Sequence, residues 1–277
     1  MLVILPQTFI FKRMSFVIDF TDKVVLVTGV SSGIGLGVAA EFAKAGAHIT
    51  GCSRKPENDT SVELFKSTVE SNGAQSLYVQ ADVTRKEELE RLVGKTIEKF
   101  GKLDILVSNA GVNVFKGAEY CTEDQWQYNI DLNLASHWRL AQICRPWLAK
   151  GGEGVILLMT SNHAYSSIPG CFPYNVTKTA ITGLARALAI EWGPEIRTVG
   201  IAPGFIDTAG NDTWFDSFPD AEAERQRTID LHPVKRIGTV QEVGDLCVYL
   251  ASPMARFISG TTILMDGGRS ALMQDNY

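Results

Sequence analysis

The segment Lys23-Val24-Val25-Leu26-Val27-Thr28-Gly29-Val30-Ser31-Ser32-Gly33-Ile34-Gly35 decides the fold of this 277-residue chain. An almost continuous apolar run ends in a glycine-rich turn, and the helical pattern VAAEFAKAG follows soon after it. Glycine lets a backbone turn sharply and approach a ligand closely, while the N-terminus of a helix favours phosphate. Strand, turn and helix in this order predict a dinucleotide-binding unit.

The same alternation of apolar runs and helical patterns continues to the end of the chain. The predicted strands are Lys23–Thr28, Ala47–Cys52, Ser76–Ala81, Asp104–Ser108, Gly154–Thr160, Ile196–Ala202 and Thr262–Asp266. The predicted helices are 34–45, 60–72, 86–100, 123–149, 174–192 and 240–251. Continuous apolar strands are typical of a parallel sheet covered on both faces. We therefore expect a single-domain α/β fold, a Rossmann-like doubly wound parallel sheet of about seven strands.

Residues 22–277 are expected to form this dinucleotide-binding and catalytic domain, preceded by an N-terminal extension of residues 1–21. The apolar start MLVILPQTFIF is interrupted by Pro6 and followed, not preceded, by Lys12 and Arg13, which argues against a secretory signal. Either the translation start is assigned too early, so that the native protein begins at Met14, or residues 1–13 form a loose arm. No apolar stretch approaches the roughly 20 residues that span a bilayer, so we expect a protein without a membrane partner.

Charge and cysteine content exclude several classes of function. The chain carries 26 basic and 31 acidic residues, net −5, without a basic run, so nucleic acid is not an expected partner. Its five cysteines are scattered and form no C-x-x-C pair, so neither a metal site nor a disulfide framework is predicted. Reduced thiols favour a cytoplasmic protein.

Tyr174 and Lys178 stand four residues apart in a predicted helix, so their side chains share one face. A nearby ammonium favours phenolate, and we expect it to lower the tyrosine pKa toward the working pH of an acid/base catalyst. Ser161 lies thirteen residues before Tyr174 at the carboxyl end of a predicted strand, where α/β sheets place their ligand crevice. Its hydroxyl is positioned to hydrogen-bond a substrate oxygen.

The T-G-x-x-x-G-x-G pattern of Thr28–Gly35, taken with Y-x-x-x-K at Tyr174–Lys178, resembles the short-chain dehydrogenase/reductase family in its short, single-domain form. The resemblance covers about residues 22–268 and implies a catalytic set of Asn133, Ser161, Tyr174 and Lys178, in which Asn133 holds a water of the proton relay. It implies cofactor contacts from Gly29, Ser31, Ser32, Gly33, Ile34, Gly35, Ser53, Arg54, Asp82, Val83, Asn109, Ala110, Gly111, Tyr174, Lys178, Pro203, Gly204, Ile206 and Thr208. Two positions depart from the family pattern, Ser108 and Gly200, where the family often has asparagine.

The end of the second predicted strand bears on the choice of cofactor. An NAD-preferring dehydrogenase usually places an acidic residue there to bind the ribose 2′-hydroxyl. This chain has Ser53 followed by Arg54, whose guanidinium suits a 2′-phosphate. NADP(H) is therefore favoured, with NAD(H) as the alternative; the other interpretation of Arg54 is a solvated surface arginine.

Residues 205–235 interrupt the alternation and are predicted to form a lid over the substrate, with a subunit-contact segment as the alternative. Within them, Trp214 belongs to an aromatic group that does not resemble a core helix. His163 and Phe172 are further candidate substrate contacts because they lie between Ser161 and Tyr174, as do Tyr165 and Cys171. A core or packing role is expected instead for His48 and for Cys144, Cys247, Trp126, Trp138 and Trp147.

These observations favour an NADP(H)-dependent oxidoreductase that interconverts a carbonyl and a secondary alcohol of a small molecule. Two alternatives stay open. A reductase of 3-ketoacyl groups on a carrier would need a basic docking patch, for which Arg139 and Arg145 alone are thin support. A non-catalytic NADPH-binding sensor or scaffold would show damage to the catalytic set. The resemblance also implies a homo-oligomer, a tetramer or dimer, with the helices 123–149 and 174–192 at an interface.

Overall fold

The computed structural model describes residues 18–272 and contains the predicted doubly wound sheet. Its strands are β1 Val24–Thr28, β2 His48–Ser53, β3 Ser76–Gln80, β4 Ile105–Ser108, β5 Gly154–Met159, β6 Ile196–Pro203 and β7 Thr262–Met265. All pairings are parallel, in the order β3-β2-β1-β4-β5-β6-β7. The order reverses between β1 and β4, which is where such sheets open a ligand crevice.

Helices cover both faces of the sheet. They are α1 Gly33–Lys44, α2 Thr60–Glu70, α3 Lys86–Phe100, α4 Glu123–Ile130, α5 Ser136–Leu148, α6 Tyr174–Trp192, α7 Ala209–Phe215, α8 Ala221–Asp230 and α9 Val240–Ala251. The helix predicted over 123–149 is interrupted by a π-helical segment at Asp131–Ala135. The segment 205–235 contains α7 and α8, neither of which the sequence predicts.

Alternate side chains of the central strands point to opposite faces of the sheet, and each face has its own hydrophobic core. Val25 and Val27 of β1 pack with α1, α2 and α9, whereas Val24 and Leu26 pack with α3, α5 and α6 on the other face. Cys144 and Cys247 are fully buried, one in each core, as expected. Within residues 18–272, no helix has the length and apolar character needed to cross a membrane.

The N-terminal boundary of the packed body lies earlier than predicted. Phe20 is 4% exposed, its ring centroid is 5.5 Å from that of Phe42, and its N–H donates to the Ala45 oxygen. Ile18 packs against the same core. The extension predicted for residues 1–21 is therefore wrong at its carboxyl end, because the core needs Phe20 beside α1. The expectation for residues 1–13 lies outside the described residues.

The side chains expected to pack differ in how far they do so. His48 stacks on Phe100 with centroids 5.7 Å apart, and Trp147 packs against the core on the α5 side. Trp126 stacks on Phe172. The expectation is wrong for Trp138, which is 46% exposed because it lies on the outward face of α5.

Candidate active site

A crevice of about 1860 Å³ lies over the carboxyl ends of the strands. It is lined by the turn after β1, the segments that follow β2 to β6, and parts of α7, α8 and the C-terminal segment. Every residue predicted to contact the cofactor lines it, which brings together positions from Gly29 to Thr208. Contact with a cofactor by each of them stays a prediction.

The glycine-rich turn leaves room for a ligand at the N-terminus of α1. Gly29 and Gly33 have φ angles of +79° and +56°, which side-chain-bearing residues rarely adopt. A Cβ on Gly35 would lie 2.2 Å from the Gly29 oxygen. Ser32, the N-cap, makes no side-chain capping bond, and the first turn of α1 contains no acidic residue. The turn therefore suits the pyrophosphate of a dinucleotide.

Thr28 ties the two strands at the switch point together. Its hydroxyl accepts hydrogen bonds from the N–H groups of Asn109 and Ala110, both at 2.9 Å, and its carbonyl accepts one from Asn109 Nδ2 at 2.8 Å. Thr28 is 1% exposed, so its role is to position the crevice wall. The T-G-x-x-x-G-x-G motif includes Thr28, but the sequence did not indicate that its hydroxyl and carbonyl would bind Asn109 and Ala110.

Tyr174 opens α6, Lys178 follows one turn later, and Ser161 immediately follows Thr160 at the end of β5. All three line the crevice. The Lys178 Nζ lies 5.5 Å from the centroid of the Tyr174 ring and donates a hydrogen bond to the Met159 oxygen at 3.0 Å. The spacing in the sequence thus places the phenol, the ammonium and the serine hydroxyl at one wall.

Burial dominates the electrostatics of this pair. It raises the pKa of Tyr174 well above its ordinary value of 10, and the nearby Ser161 side chain opposes the shift only in part. The expected lowering of that pKa by Lys178 is therefore not what the structure shows, because the phenol is desolvated. Burial also lowers the pKa of Lys178 to about 8.

Asn133 lies in the π-helical segment and is fully buried. Its Oδ1 accepts a hydrogen bond from the Val112 N–H at 3.0 Å, and its Nδ2 donates to the Val112 oxygen and to Asn129 Oδ1, both at 2.9 Å. A Cβ on Gly111 would lie 2.6 Å from Asn133 Oδ1. Asn133 thus ties the segment after β4 to the π-helical segment, and Asn129 of α4, which belongs to no recognised motif, supports its side chain.

Both departures from the family pattern have a local explanation. The Ser108 hydroxyl lies 2.7 Å from His137 Nδ1 in the interior, and burial lowers the pKa of that histidine to about 3. His137 is therefore neutral and able to share a hydrogen bond with serine. At Gly200, a Cβ would lie 2.4 Å from Thr262 Oγ1 on β7, so the neighbouring strand occupies the space of a side chain.

The residues at the end of β2 that line the crevice, Ser53 and Arg54, are not acidic. Ser53 Oγ lies 2.8 Å from the Tyr78 hydroxyl, which donates a further bond to the Lys55 oxygen. Arg54 is exposed and lines the crevice, and it makes no ion pair with any acidic residue among residues 18–272. The wall at this end is positively charged.

The other end of the crevice holds the candidate substrate contacts. The His163 ring lies 6.1 Å from that of Tyr174 and 5.6 Å from that of Phe115. Trp214 also lines the crevice. Phe172 does not, because its ring stacks on Trp126 with centroids 5.6 Å apart, and that prediction is corrected.

Several lining residues were missed by the sequence reasoning. Phe115, Arg227, Arg269 and Ser270 line the crevice but belong to no recognised motif. They come from segments far apart in the chain, and only the fold brings them together. Within residues 18–272, no cluster of three or more His, Cys, Asp or Glu side chains could hold a metal ion.

Comparison with known proteins identifies the family. A family model described as enoyl-(acyl carrier protein) reductase matches residues 29–270. Human dehydrogenase/reductase SDR family member 4 is 35% identical over 250 residues, 89% of this chain and 87% of that protein. A tropinone reductase homolog of Arabidopsis thaliana is 34% identical over 245 residues, 88% and 89% of the two chains.

A solved structure agrees with these matches. The aldohexose dehydrogenase of Thermoplasma acidophilum superposes with a TM-score of 0.84 at 27% identity, covering 93% of this chain and 97% of that one. The range that the family model matches contains strands β2 to β7, the glycine-rich turn from Gly29 onward and the Tyr174–Lys178 helix. This chain belongs to the short-chain dehydrogenase/reductase family.

Proposed function

We propose that the protein interconverts a carbonyl and a secondary alcohol with NADP(H) as cofactor. Membership of the family makes it an oxidoreductase that uses a nicotinamide cofactor. The observation that carries the proposal is the placement of Ser161, Tyr174 and Lys178 in one crevice with the glycine-rich turn of α1. The cofactor, when bound, supplies or accepts the hydride.

Tyr174 is the proposed proton donor in the reductive direction. Burial keeps its phenol protonated at neutral pH, so a proton is available for the carbonyl oxygen of the substrate. Ser161 hydrogen-bonds the same oxygen and stabilises the charge that develops on it. Lys178 binds the nicotinamide ribose and supplies positive charge beside the phenol, and Asn133 holds a water of the proton relay, as the family resemblance implies.

The preference for NADP(H) rests on the end of β2. A carboxylate would repel the 2′-phosphate, and Ser53 and Arg54 stand where NAD-preferring relatives place one. The Arg54 guanidinium is free of acidic partners among the residues described, so it is available to a phosphate. Ser53 is held by Tyr78, which fixes the backbone from which Arg54 extends.

Binding of the two cofactors tests this preference directly. We expect the wild type to bind NADPH more tightly than NADH, and Ser53→Asp to reverse or erase the difference. Arg54→Gln should weaken NADPH binding about tenfold or more and leave NADH nearly unchanged. Arg85→Gln is the matched control, an exposed arginine outside the crevice. A wild type that prefers NADH by tenfold would overturn the proposal.

The alternatives are less well supported. A non-catalytic sensor does not explain why Ser161, Tyr174 and Lys178 all line one crevice, with Asn133 buried beside Gly111 of its wall. A carrier-protein reductase needs exposed basic groups to dock an acidic partner, but Arg139 pairs with Asp131 at 3.0 Å and Arg145 packs over Trp192. A small-molecule substrate therefore agrees better with the surface.

We also propose that the protein is a cytoplasmic homo-oligomer. Trp138 on α5 and Ile190 on α6 are 46% and 80% exposed, so the two helices expected at an interface present apolar side chains to solvent. All five cysteines are free, which agrees with a reducing compartment. Light scattering on the purified protein and its Trp138→Arg variant tests the assembly, and cell fractionation tests the location.

A further inference from the structure

Arg269 lies at the end of the crevice away from Arg54. It follows β7, at the opposite edge of the sheet from β3 and β2, in a turn where Gly267 and Gly268 have φ angles of +61° and +83°. Its side chain is half-buried and lines the crevice. Arg269 lines the same crevice as His163, the candidate substrate contact beside Tyr174.

The acidic residues near Arg269 are already engaged. The Asp266 carboxylate accepts hydrogen bonds from the backbone N–H groups of Gly268 and Ser270, at 3.0 and 2.7 Å. Glu224 accepts two from Arg227, at 2.8 and 2.6 Å. Within residues 18–272, Arg269 makes neither an ion pair nor a side-chain hydrogen bond. Among the residues that the structure describes, this half-buried cation is therefore left without an anion.

Ser270 adds a second donor at the same place. Ser270 lines the crevice, and its hydroxyl oxygen is buried and has no hydrogen-bond partner among the described residues. Buried polar groups without a partner are uncommon in folded proteins, and such groups at a crevice often bind a ligand. The Arg269 guanidinium offers the planar pattern of donors that suits a carboxylate, and Ser270, the next residue in the chain, lines the same crevice.

We propose that Arg269 and Ser270 bind a carboxylate of the substrate, so that the protein acts on keto acids or the corresponding hydroxy acids. The inference rests on the proposed function, because it names the substrate class of the same crevice. A single carboxylate matches the guanidinium of Arg269, which at this end of the crevice has no acidic partner among residues 18–272. Arg227 also lines the crevice, but its pairing with Glu224 gives it a lesser role.

Binding without turnover is the first test. The wild type is titrated by calorimetry with 4-oxopentanoate, 5-oxohexanoate and 6-oxoheptanoate and with their methyl esters, in the presence of NADP⁺, of NAD⁺ and of neither. At least one acid should bind about tenfold more tightly than its ester, as expected of hydrogen bonds to a charged group. Arg269→Gln should abolish this difference, and Arg269→Lys should restore part of it.

Turnover is the second test. We expect Arg269→Gln to lower kcat/KM for the preferred acid by ten- to a hundredfold, mainly through KM, and to change kcat/KM for its ester less than threefold. Ser270→Ala should have a smaller effect in the same direction. Arg256→Gln, which changes an exposed arginine outside the crevice, should leave both substrates unaffected.

The outcomes separate this inference from the proposed function. Acids that bind through Arg269 without any turnover would support the carboxylate site and contradict the proposed activity. Ketones and esters turned over as well as acids, with no effect of Arg269→Gln, would leave the activity standing and overturn the inference. Equal losses for acid and ester, or a preference for phosphate esters over carboxylates, would also overturn it.

Discussion

At the scale of single residues, burial of the Lys178 ammonium lowers the stability of the folded protein. Its pKa falls from 10.5 to about 8 because it is buried. Between these values the unfolded chain holds the proton and the folded chain does not, so stability rises with pH across that window. Below pH 8 both states are charged, and the full cost of burial is present.

We therefore expect Lys178→Met to be more stable than the wild type at pH 7, by about 1–3 kcal/mol, although it loses turnover and cofactor affinity. The difference should shrink above pH 8 and vanish near pH 10.5. Urea unfolding at several pH values measures it, with the exposed Lys95→Met as control. A variant less stable than the wild type at pH 7 would show that the hydrogen bond to Met159 outweighs desolvation.

Tyr174 gives the corresponding prediction for chemistry. Tyr174→Phe removes the transferable proton and little volume, so kcat should fall about 10²-fold or more. NADPH affinity should stay close to that of the wild type, as fluorescence titration would show. Near-normal turnover in this variant would exclude Tyr174 as the acid.

The arrangement of the proposed catalytic residues was predictable because their spacing along the chain determines how far apart they lie in a helix or after a strand. Tyr174 and Lys178 share a helix face, and Ser161 lies two residues after the end of β5. Arg269 was not predictable, since its lack of a partner depends on Asp266 being used by backbone N–H groups. The raised pKa of Tyr174 was missed for a similar reason, because burial is a property of the whole fold.

At the scale of elements, α7 is a helix that its own sequence does not predict. Thr208 caps a helix of seven residues that begins Ala-Gly-Asn, a poor helical sequence. Phe215 on this helix is 2% exposed, and the Arg225 guanidinium lies 4.6 Å from its ring centroid. Tertiary contacts therefore hold a helix that local propensity does not predict. Trp214, 39% exposed, is left beside the crevice.

Trp214 tests whether this segment acts as a lid. Trp214→Ala should raise KM or lower kcat several-fold without dissociating the oligomer, because a lid excludes water from the reacting groups. Protease resistance of the segment should increase when NADPH and substrate are added. Tyr249→Ala is the matched control, with an aromatic side chain of similar exposure on α9, away from the helices expected at an interface. If Trp214→Ala instead dissociates the oligomer at unchanged activity per subunit, the segment is an interface.

The β6–β7 pair gives a prediction about stability. Gly200→Ala places a Cβ 2.4 Å from Thr262 Oγ1, so we expect destabilisation of about 1–3 kcal/mol. Thr262→Ala removes that oxygen and should recover much of the loss in the double variant. A double-mutant cycle in urea measures the coupling. Additive effects of the two substitutions would contradict the proposed clash.

At the scale of the whole molecule, the sheet was predictable and its edges were less so. Strands covered on both faces appear as apolar runs, and all seven predicted strands are confirmed. The π-helical segment at Asp131–Ala135 went unpredicted because its sequence keeps a helical pattern. The N-terminal boundary was misplaced because Phe20 precedes the first strand, and only its packing on Phe42 shows that it belongs to the body.

Phe20 refines the prediction for truncation. A chain that starts at Met14 keeps Phe20 and should fold, bind cofactor and turn over like the full chain. One that starts at Asp22 should lose stability by about 2–4 kcal/mol, since it removes a buried aromatic ring. Thermal unfolding and cofactor titration compare the three chains. Aggregation of the chain that starts at Met14 would show that residues 1–13 are required.

The bonds between Thr28 and Asn109 set an order of events during synthesis. The two residues are 81 positions apart, so a ribosome adding about 5–20 residues per second needs roughly 4–16 s between them. Throughout that interval β1 can pair with β2, but its other edge has no native neighbour. The nascent chain therefore carries an open strand edge until β4 emerges, and this is the period in which a chaperone would protect it most.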